Sequence, residues 1–136
     1  MLKRETDLAN LVLLTEMNIA LRLAEKIDNS MTDSAVEARM KAFILGDEYQ
    51  IYTIWHNHQI VGYAAIKADE DPLYLRQLYI KTEFRRLGIG GQALSEIRKI
   101  FPEQQIDVEV MAWNPEASRF YEKHEFKLRT LKFRLG

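Results

Sequence analysis

What this sequence of 136 residues lacks already narrows its class. It contains no cysteine, which excludes disulfides, thiolate nucleophiles and cysteine-based zinc sites. It has no run of about 20 apolar residues, so we expect no bilayer-spanning segment and no membrane partner. The apolar stretch 8–14 follows a charged pentad and has no small-residue cleavage site, so it does not predict a signal peptide. We therefore expect a cytoplasmic protein.

Proline and glycine are also scarce, at three and six residues, and they fall between periodic segments. No linker, repeat or low-complexity tract is visible. With 47% hydrophobic and 29% charged residues, the composition is that of an ordinary globular chain. Length and composition together predict one domain over residues 1–136.

The net charge of -1 gives no reason to expect nucleic-acid binding. The charge is unevenly distributed, because residues 1–80 hold 8 Lys/Arg against 12 Asp/Glu and residues 81–136 hold 11 against 8. An acidic first half favours a cationic ligand, and a basic second half favours phosphates. Random scatter of charges is the alternative explanation.

Hydrophobic periodicity predicts nine elements in the order α-α-β-β-β-α-β-α-β. The predicted helices cover 7–28, 34–46, 88–101 and 114–124, and the predicted strands cover 49–55, 60–68, 73–80, 106–113 and 126–135. Ser34 and Glu37 have the spacing of a capping box at the second helix. Short loops join antiparallel strands, whereas β-α-β crossovers join parallel ones. The sequence therefore predicts an α/β (α+β mixed) fold whose central sheet is mixed and mostly antiparallel, with helices on both faces.

The glycine-rich segment Arg85-Arg86-Leu87-Gly88-Ile89-Gly90-Gly91 lies between a predicted strand and a predicted helix. Glycines let the backbone approach a ligand closely, and amides at a helix start favour an anion. This arrangement suits a diphosphate, although a tight turn with solvated arginines would look the same. No Gly-Lys-Ser/Thr follows and no third glycine has the dinucleotide spacing, so neither of those phosphate motifs is present.

Two motifs resemble those of the GNAT superfamily of acetyl-CoA-dependent N-acetyltransferases. Arg85-x-x-Gly88-x-Gly90 fits the family pattern Q/R-x-x-G-x-G/A after the strand Leu78-Tyr79-Ile80. About thirty residues later, the segment from Asn114 to Phe126 resembles N-x-x-A-x-x-F/L-Y-E-K-x-G-F. The resemblance covers roughly residues 30–136 and implies the GNAT-like acyl-CoA acyltransferase fold.

The resemblance also implies a reaction and the residues for it. It implies acetyl transfer from acetyl-CoA to a primary amine by direct attack on the thioester, with no metal, and it is compatible with a homodimer. The amides of the glycine-rich segment would bind the CoA diphosphate, and backbone groups of the strand would hold the pantetheine arm and thioester carbonyl. The implied cofactor-binding residues are Leu78, Tyr79, Ile80, Arg85, Arg86, Leu87, Gly88, Ile89, Gly90, Gly91, Asn114 and Tyr121.

Three residues are candidates for catalysis: Tyr121, Asn114 and Glu109. An ordinary tyrosine pKa of about 10 is close to that of a thiol leaving group, so Tyr121 could protonate the departing thiolate, or be a core residue instead. Asn114 could bind the pantetheine, cap a helix, or do both. No general base is evident, and Glu109, the acids of 69–71 and an ordered water remain alternatives.

Two departures from the family pattern lead to further expectations. Glu125 stands where the second motif has glycine, which would force a non-glycine residue into or around a left-handed helix cap. Only residues 1–5 precede the first predicted helix, so the first strand of the family is expected to be vestigial or missing.

His56 and His58 are expected in a solvated turn, and His124 at a helix end. The competing functions are a non-catalytic acyl-CoA-binding regulatory module and an interaction domain.

Overall fold

A computed structural model describes residues 1–136 and contains a five-stranded sheet in the order β1-β2-β3-β4-β5. Its strands are β1 (Leu2–Glu5), β2 (Gln50–His56), β3 (Gln59–Lys67), β4 (Leu73–Ile80) and β5 (Ile106–Val108). Its helices are α1 (Leu11–Ala24), α2 (Asp33–Leu45), α3 (Ile89–Ile100) and α4 (Pro115–Lys123), with a 3₁₀ turn at Thr82–Phe84. Neighbouring strands are antiparallel except for β4 and β5, which are parallel. The predicted fold class is confirmed.

The sheet has a buried cluster on each face. Leu14 of α1 and Met40 of α2 pack with Tyr63 and Tyr79 on one face. Leu94 and Ile97 of α3 pack against the other face, where residues of α4 join the same cluster. None of the four helices is both long enough and apolar enough to cross a bilayer.

Local chemistry sets the ends of several elements. Residues 57 and 58 both have positive φ, as a two-residue hairpin turn between β2 and β3 requires. The hydroxyl of Thr32 accepts a hydrogen bond from Ala35 N at 3.1 Å, so Thr32 caps α2 and the expectation of a cap at Ser34 was wrong. The first helix is also shorter than the predicted 7–28.

A first strand is present, contrary to the expectation that it is vestigial or missing. β1 pairs with β2 over four residues. Its sequence Leu-Lys-Arg-Glu has no apolar alternation, so pairing with β2 rather than local preference creates the strand. Glu5 is buried there, where its carboxylate accepts hydrogen bonds from Asn10 Nδ2 at 2.7 Å and Thr53 Oγ1 at 3.1 Å.

Two strand predictions near the C-terminus were wrong. The strand predicted over 106–113 ends at Val108, so Glu109 lies beyond it. The strand predicted over 126–135 does not form, and residues 127–136 are all exposed, including Leu128, Leu131, Phe133 and Leu135. Apolar alternation is present in both segments, but strands also need a partner edge to accept their hydrogen bonds.

The end of α4 confirms the expectation for Glu125, which has a left-handed φ of 72°. Phe126 N donates to Tyr121 O at 3.0 Å and Glu125 N donates to Glu122 O at 3.0 Å, the hydrogen bonds of a Schellman cap. Because this conformation costs a non-glycine residue about 1–2 kcal/mol, Glu125→Gly is expected to stabilise the fold by about 1 kcal/mol. Denaturant unfolding measures the gain. Glu122→Gly, the same change inside α4, is the control and is expected to destabilise; equal effects of the two variants would contradict the prediction.

Candidate active site

The glycine-rich segment forms the turn that leads into α3. Gly88 is the N-cap residue, with a left-handed φ of 79°, and Arg86 before it has a φ of 64°. The amides from Arg86 to Gly91 donate no hydrogen bond to the chain, either to backbone or to side-chain acceptors. Six unpartnered N–H groups at the positive end of a helix can bind an anion such as a diphosphate.

Gly90 and Gly91 have a second structural use that the sequence did not indicate. A Cβ atom on Gly90 would lie 3.0 Å from the ring of Phe120, and one on Gly91 would lie 2.7 Å from the ring of His124. These glycines therefore let α4 pack closely on the first turn of α3. By contrast, nothing lies within 4 Å of the Cβ position of Gly88, so its positive φ is the reason for glycine there.

A β-bulge in β4 creates an open edge beside this turn. Ala65 of β3 pairs with Gln77 and Ile66 pairs with Leu75, which leaves Arg76 as the extra residue. β5 pairs only with residues 73–75, so residues 76–80 have no strand on their other side. β4 and β5 thus separate at the bulge, and a ligand can reach the β4 backbone there.

The segment Leu78-Tyr79-Ile80 lies along this open edge. Lys81 N donates to Val61 O on β3 at 2.8 Å, and backbone alternation therefore turns the polar groups of Ile80 and Leu78 towards the open side. Arg85 Nε donates to Ile80 O at 2.8 Å, and its guanidinium lies 5.5 Å from the centre of the Tyr79 ring. Arg85 thus braces the turn, and the N–H groups of Leu78 and Ile80 remain for a ligand.

Asn114 is the N-cap of α4, followed by proline at the first helical position. Its Oδ1 accepts a hydrogen bond from Ala117 N at 3.2 Å. That bond leaves Nδ2 as a free donor, so capping and ligand binding are compatible in the same side chain.

Tyr121 lies on α4 between two aromatic rings. The centre of its ring is 5.1 Å from that of Phe120 and 5.2 Å from that of Phe126. Burial, with a further contribution from the charge of Glu25, raises the pKa of Tyr121 well above its ordinary value. The hydroxyl is therefore protonated at neutral pH. It is also a weaker acid than the ordinary tyrosine whose pKa the sequence analysis compared with that of a thiol.

The structure places the acid that the sequence singled out, Glu109, beside Tyr74, and a different acid acts on Tyr121. Glu109 is exposed and lies beside Tyr74, where burial and then the charge of Glu109 raise the tyrosine pKa to about 12. Glu25, at the end of α1, is the acid whose charge acts on Tyr121. Trp113 Nε1 donates to Glu25 O at 2.9 Å and ties the segment before α4 to this helix end. No local motif marks Glu25, because tertiary packing brings it to the site.

Burial raises the pKa of Glu25, which makes stability depend on pH at this position. A carboxyl with a raised folded-state pKa binds more protons folded than unfolded, so its contribution to stability falls as the pH rises. Glu25→Gln is therefore expected to raise Tm at pH 7, and the gain should shrink as the pH falls towards about 4.3, where glutamate protonates in unfolded chains. Thermal melts across this range measure it, with the exposed Glu37→Gln as control. A gain that is independent of pH would contradict the prediction.

A cleft of about 520 Å³ lies between α1 and the end of β4. Its lining residues are Leu13, Glu16, Met17, Ala20, Gln59, Tyr79, Lys81, Glu83 and Phe84. Among the predicted site residues only Tyr79 lines this cleft.

His56 and His58 lie at the β2–β3 hairpin, and no cluster of three metal-ligating side chains occurs.

Comparison with known proteins places the chain in a family. A family model described as an acetyltransferase (GNAT) domain matches residues 15–134. The chain belongs to this family, and its members use acetyl-CoA for acetyl transfer.

Solved structures with the same fold have low sequence identity to this chain. One is a possible acetyltransferase from Clostridium difficile 630, with a TM-score of 0.79 at 14% identity, covering 99% of this chain and 97% of the other. An aminoglycoside acetyltransferase from an uncultured soil metagenomic sample, in complex with sisomicin, has a TM-score of 0.75 at 16% identity, covering 100% and 95%. An aminoglycoside N-acetyltransferase in complex with CoA has a TM-score of 0.73 at 13% identity, covering 99% and 95%. At these identities the likeness shows the fold alone.

Proposed function

We propose that residues 1–136 act as one N-acetyltransferase domain that transfers an acetyl group from acetyl-CoA to a primary amine by direct attack. The observation that carries the proposal is the open edge of β4 next to six unpartnered amides. One end of this continuous surface suits a diphosphate, and the other offers backbone donors to a thioester.

The same residues suggest how each part of acetyl-CoA would be held. The amides of residues 86–91 would bind the diphosphate, with Arg86 adding positive charge. Ile80 N–H and Asn114 Nδ2 would donate to the pantetheine arm, and Leu78 N–H would donate to the thioester carbonyl. Leu78 and Tyr121 pack against the same buried cluster, which supports their placement at one reaction centre.

In the reaction, the amine nitrogen forms a bond to the carbonyl carbon, and the bond from that carbon to sulfur breaks. Leu78 N–H stabilises the negative charge that develops on the carbonyl oxygen. Tyr121 donates its proton to the departing sulfur and regains one from solvent. The proton lost by the amine passes to water, because Glu109 is exposed and interacts with Tyr74.

Two measurements test the proposal. Acetyl-CoA at concentrations far above its Kd is expected to raise Tm by ligand linkage, and CoA release should follow when a panel of primary amines is added. Absence of both a Tm shift and binding heat would overturn the assignment of the loop to a diphosphate. Binding without turnover of any amine would instead identify an acyl-CoA-binding regulatory module.

A further inference from the structure

Three arginines meet on the face of the sheet that α1 and α2 cover. Arg39 of α2 and Arg76 of β4 both lie against the Phe43 ring, with guanidinium carbons 5.6 Å and 5.4 Å from its centre. Arg22 of α1 is the third and donates to Asn29 O at 2.9 Å. None of the three has a carboxylate oxygen within 4.0 Å of its guanidinium. The ion pairs of the chain involve Lys67 and Arg134 instead.

The bulge in β4 explains why Arg76 belongs to this cluster. Leu75 lies in the cluster beneath α3, but the extra residue changes the alternation, so Arg76 and Gln77 both turn towards α1 and α2. Arg76 Nη1 donates to Tyr49 Oη at 2.9 Å, and Gln77 Oε1 accepts from Tyr63 Oη at 2.9 Å. Arg76 is thus held two residues before Leu78, on the open part of β4.

The polar groups around Arg39 are incompletely paired. Asn18, which has no exposed surface, accepts a hydrogen bond from Arg39 Nη2 at 3.1 Å, but its own Nδ2 has no partner. Arg39 Nε is also buried without a partner. Burial, and then the charges of Arg76 and Arg22, lower the pKa of Arg39. Arg39 thus has a buried donor without a protein acceptor and Arg76 is exposed beside it, so an anionic ligand can supply the acceptor that the chain lacks.

From this cluster we infer that the acceptor amine also carries a carboxylate, which Arg39 and Arg76 bind on the α1–α2 side of the open β4 edge. The inference rests on the proposed acetyl transfer and specifies its acceptor. Arginine is suited to this task because its planar guanidinium pairs with two carboxylate oxygens. The acidic first half of the sequence suggested a cationic acceptor, but a charge total over 80 residues does not report the local excess of arginine where α1, α2 and β4 meet.

Matched acceptor pairs test the inference through the release of CoA. The pairs are β-alanine with propylamine, leucine with leucinamide, and phosphoethanolamine with ethanolamine. We expect kcat/KM to be at least tenfold higher for β-alanine and leucine than for propylamine and leucinamide, which lack the carboxylate. Equal or better turnover of propylamine and leucinamide would overturn the inference but leave the proposed function intact. A preference confined to phosphoethanolamine would replace the carboxylate with a phosphate.

Variants of the arginines distinguish a role in binding the acceptor carboxylate from a purely structural role. Arg76→Met is expected to raise KM for the carboxylate acceptor by tenfold or more, with kcat within a few-fold and KM for the partner without the carboxylate unchanged. Arg39→Gln, which keeps a donor for Asn18, is expected to act in the same direction. Arg98→Met removes the same charge from the exposed face of α3 and is the control. Equal rises in KM for both members of a pair would show that the arginines are structural.

A binding measurement tests the inference even if no amine in the panel is acetylated. About 100 mM acetate, as a carboxylate probe, is expected to raise Tm of the parent and of Arg98→Met. The rise should be smaller in Arg76→Met and Arg39→Gln, while acetyl-CoA binding is retained in both. Equal acetate effects in all four proteins would overturn the anion site.

Discussion

Tyr121→Phe is expected to lower kcat by about 10²–10⁴-fold, the loss typical of removing a positioned acid. The change deletes one hydroxyl and keeps the ring that packs between Phe120 and Phe126. The hydroxyl donates no hydrogen bond within the chain, unlike those of Tyr52 and Tyr63, so its removal leaves no protein group unpaired. Stability and acetyl-CoA affinity should therefore hardly change. Steady-state kinetics with an acceptor from the amine panel measure the effect.

The control for this variant is Tyr52→Phe, which removes a hydroxyl that donates to Gln50 Oε1 at 2.7 Å on β2. It is expected to leave kcat within a few-fold of the parent. If Tyr121→Phe, folded and binding acetyl-CoA, turned over like the parent, Tyr121 would be a core residue. The proton for the leaving sulfur would then come from elsewhere, for example from water held by Asn114.

Gly62→Val is expected to produce the largest loss of stability, of about 3 kcal/mol or more. A Cβ atom on Gly62 would overlap the carbonyl oxygen of Tyr79 on the neighbouring strand, and it would lie 3.0 Å from the Ile80 side chain. Backbone rather than a flexible side chain is in the way, so β3 and β4 would have to separate next to the site. Denaturant unfolding measures the loss, which for a chain of this size corresponds to a Tm lower by roughly 10 °C.

Gly136→Val is the matched control, because nothing lies within 4 Å of its Cβ position at the exposed end of the chain. Its effect on stability is expected to be small. If Gly62→Val were as stable as the parent, β3 and β4 could move apart at little cost in free energy. The backbone of the open edge would then not be held rigidly by the pairing of these two strands.

The sequence predicted the middle of the chain well because its signals there are local. β4 was predicted at its observed bounds of 73–80, since a dense apolar segment lies between a proline turn and a glycine-rich turn. Asn114-Pro115 likewise marked the start of α4, through preferences of the first helical turn. The fold class follows from such elements and the lengths of their connections.

The errors occurred where structure depends on a distant partner. β1 carries mostly charged residues and is a strand because it pairs with β2, whereas the segment after Phe126 pairs with no strand. The same reasoning applies to the candidate site. Its glycines and Tyr121 are predicted from their motifs, whereas Glu25 and the arginines of α1, α2 and β4 come together only in the folded chain.

The bulge at Arg76 determines where β4 can change in length. Residues on either side of it follow opposite alternations, so Leu75 faces α3 while Gln77 faces α1 and α2. Deleting Arg76 would leave Leu75 and Gln77 as direct neighbours on opposite faces, which is the regular alternation of a strand. Deleting a residue on either side of the bulge would instead turn one part of the strand over, exposing apolar side chains or burying polar ones. Natural variation in the length of this strand is therefore expected at the bulge, with other single-residue insertions and deletions displaced into the loops on either side.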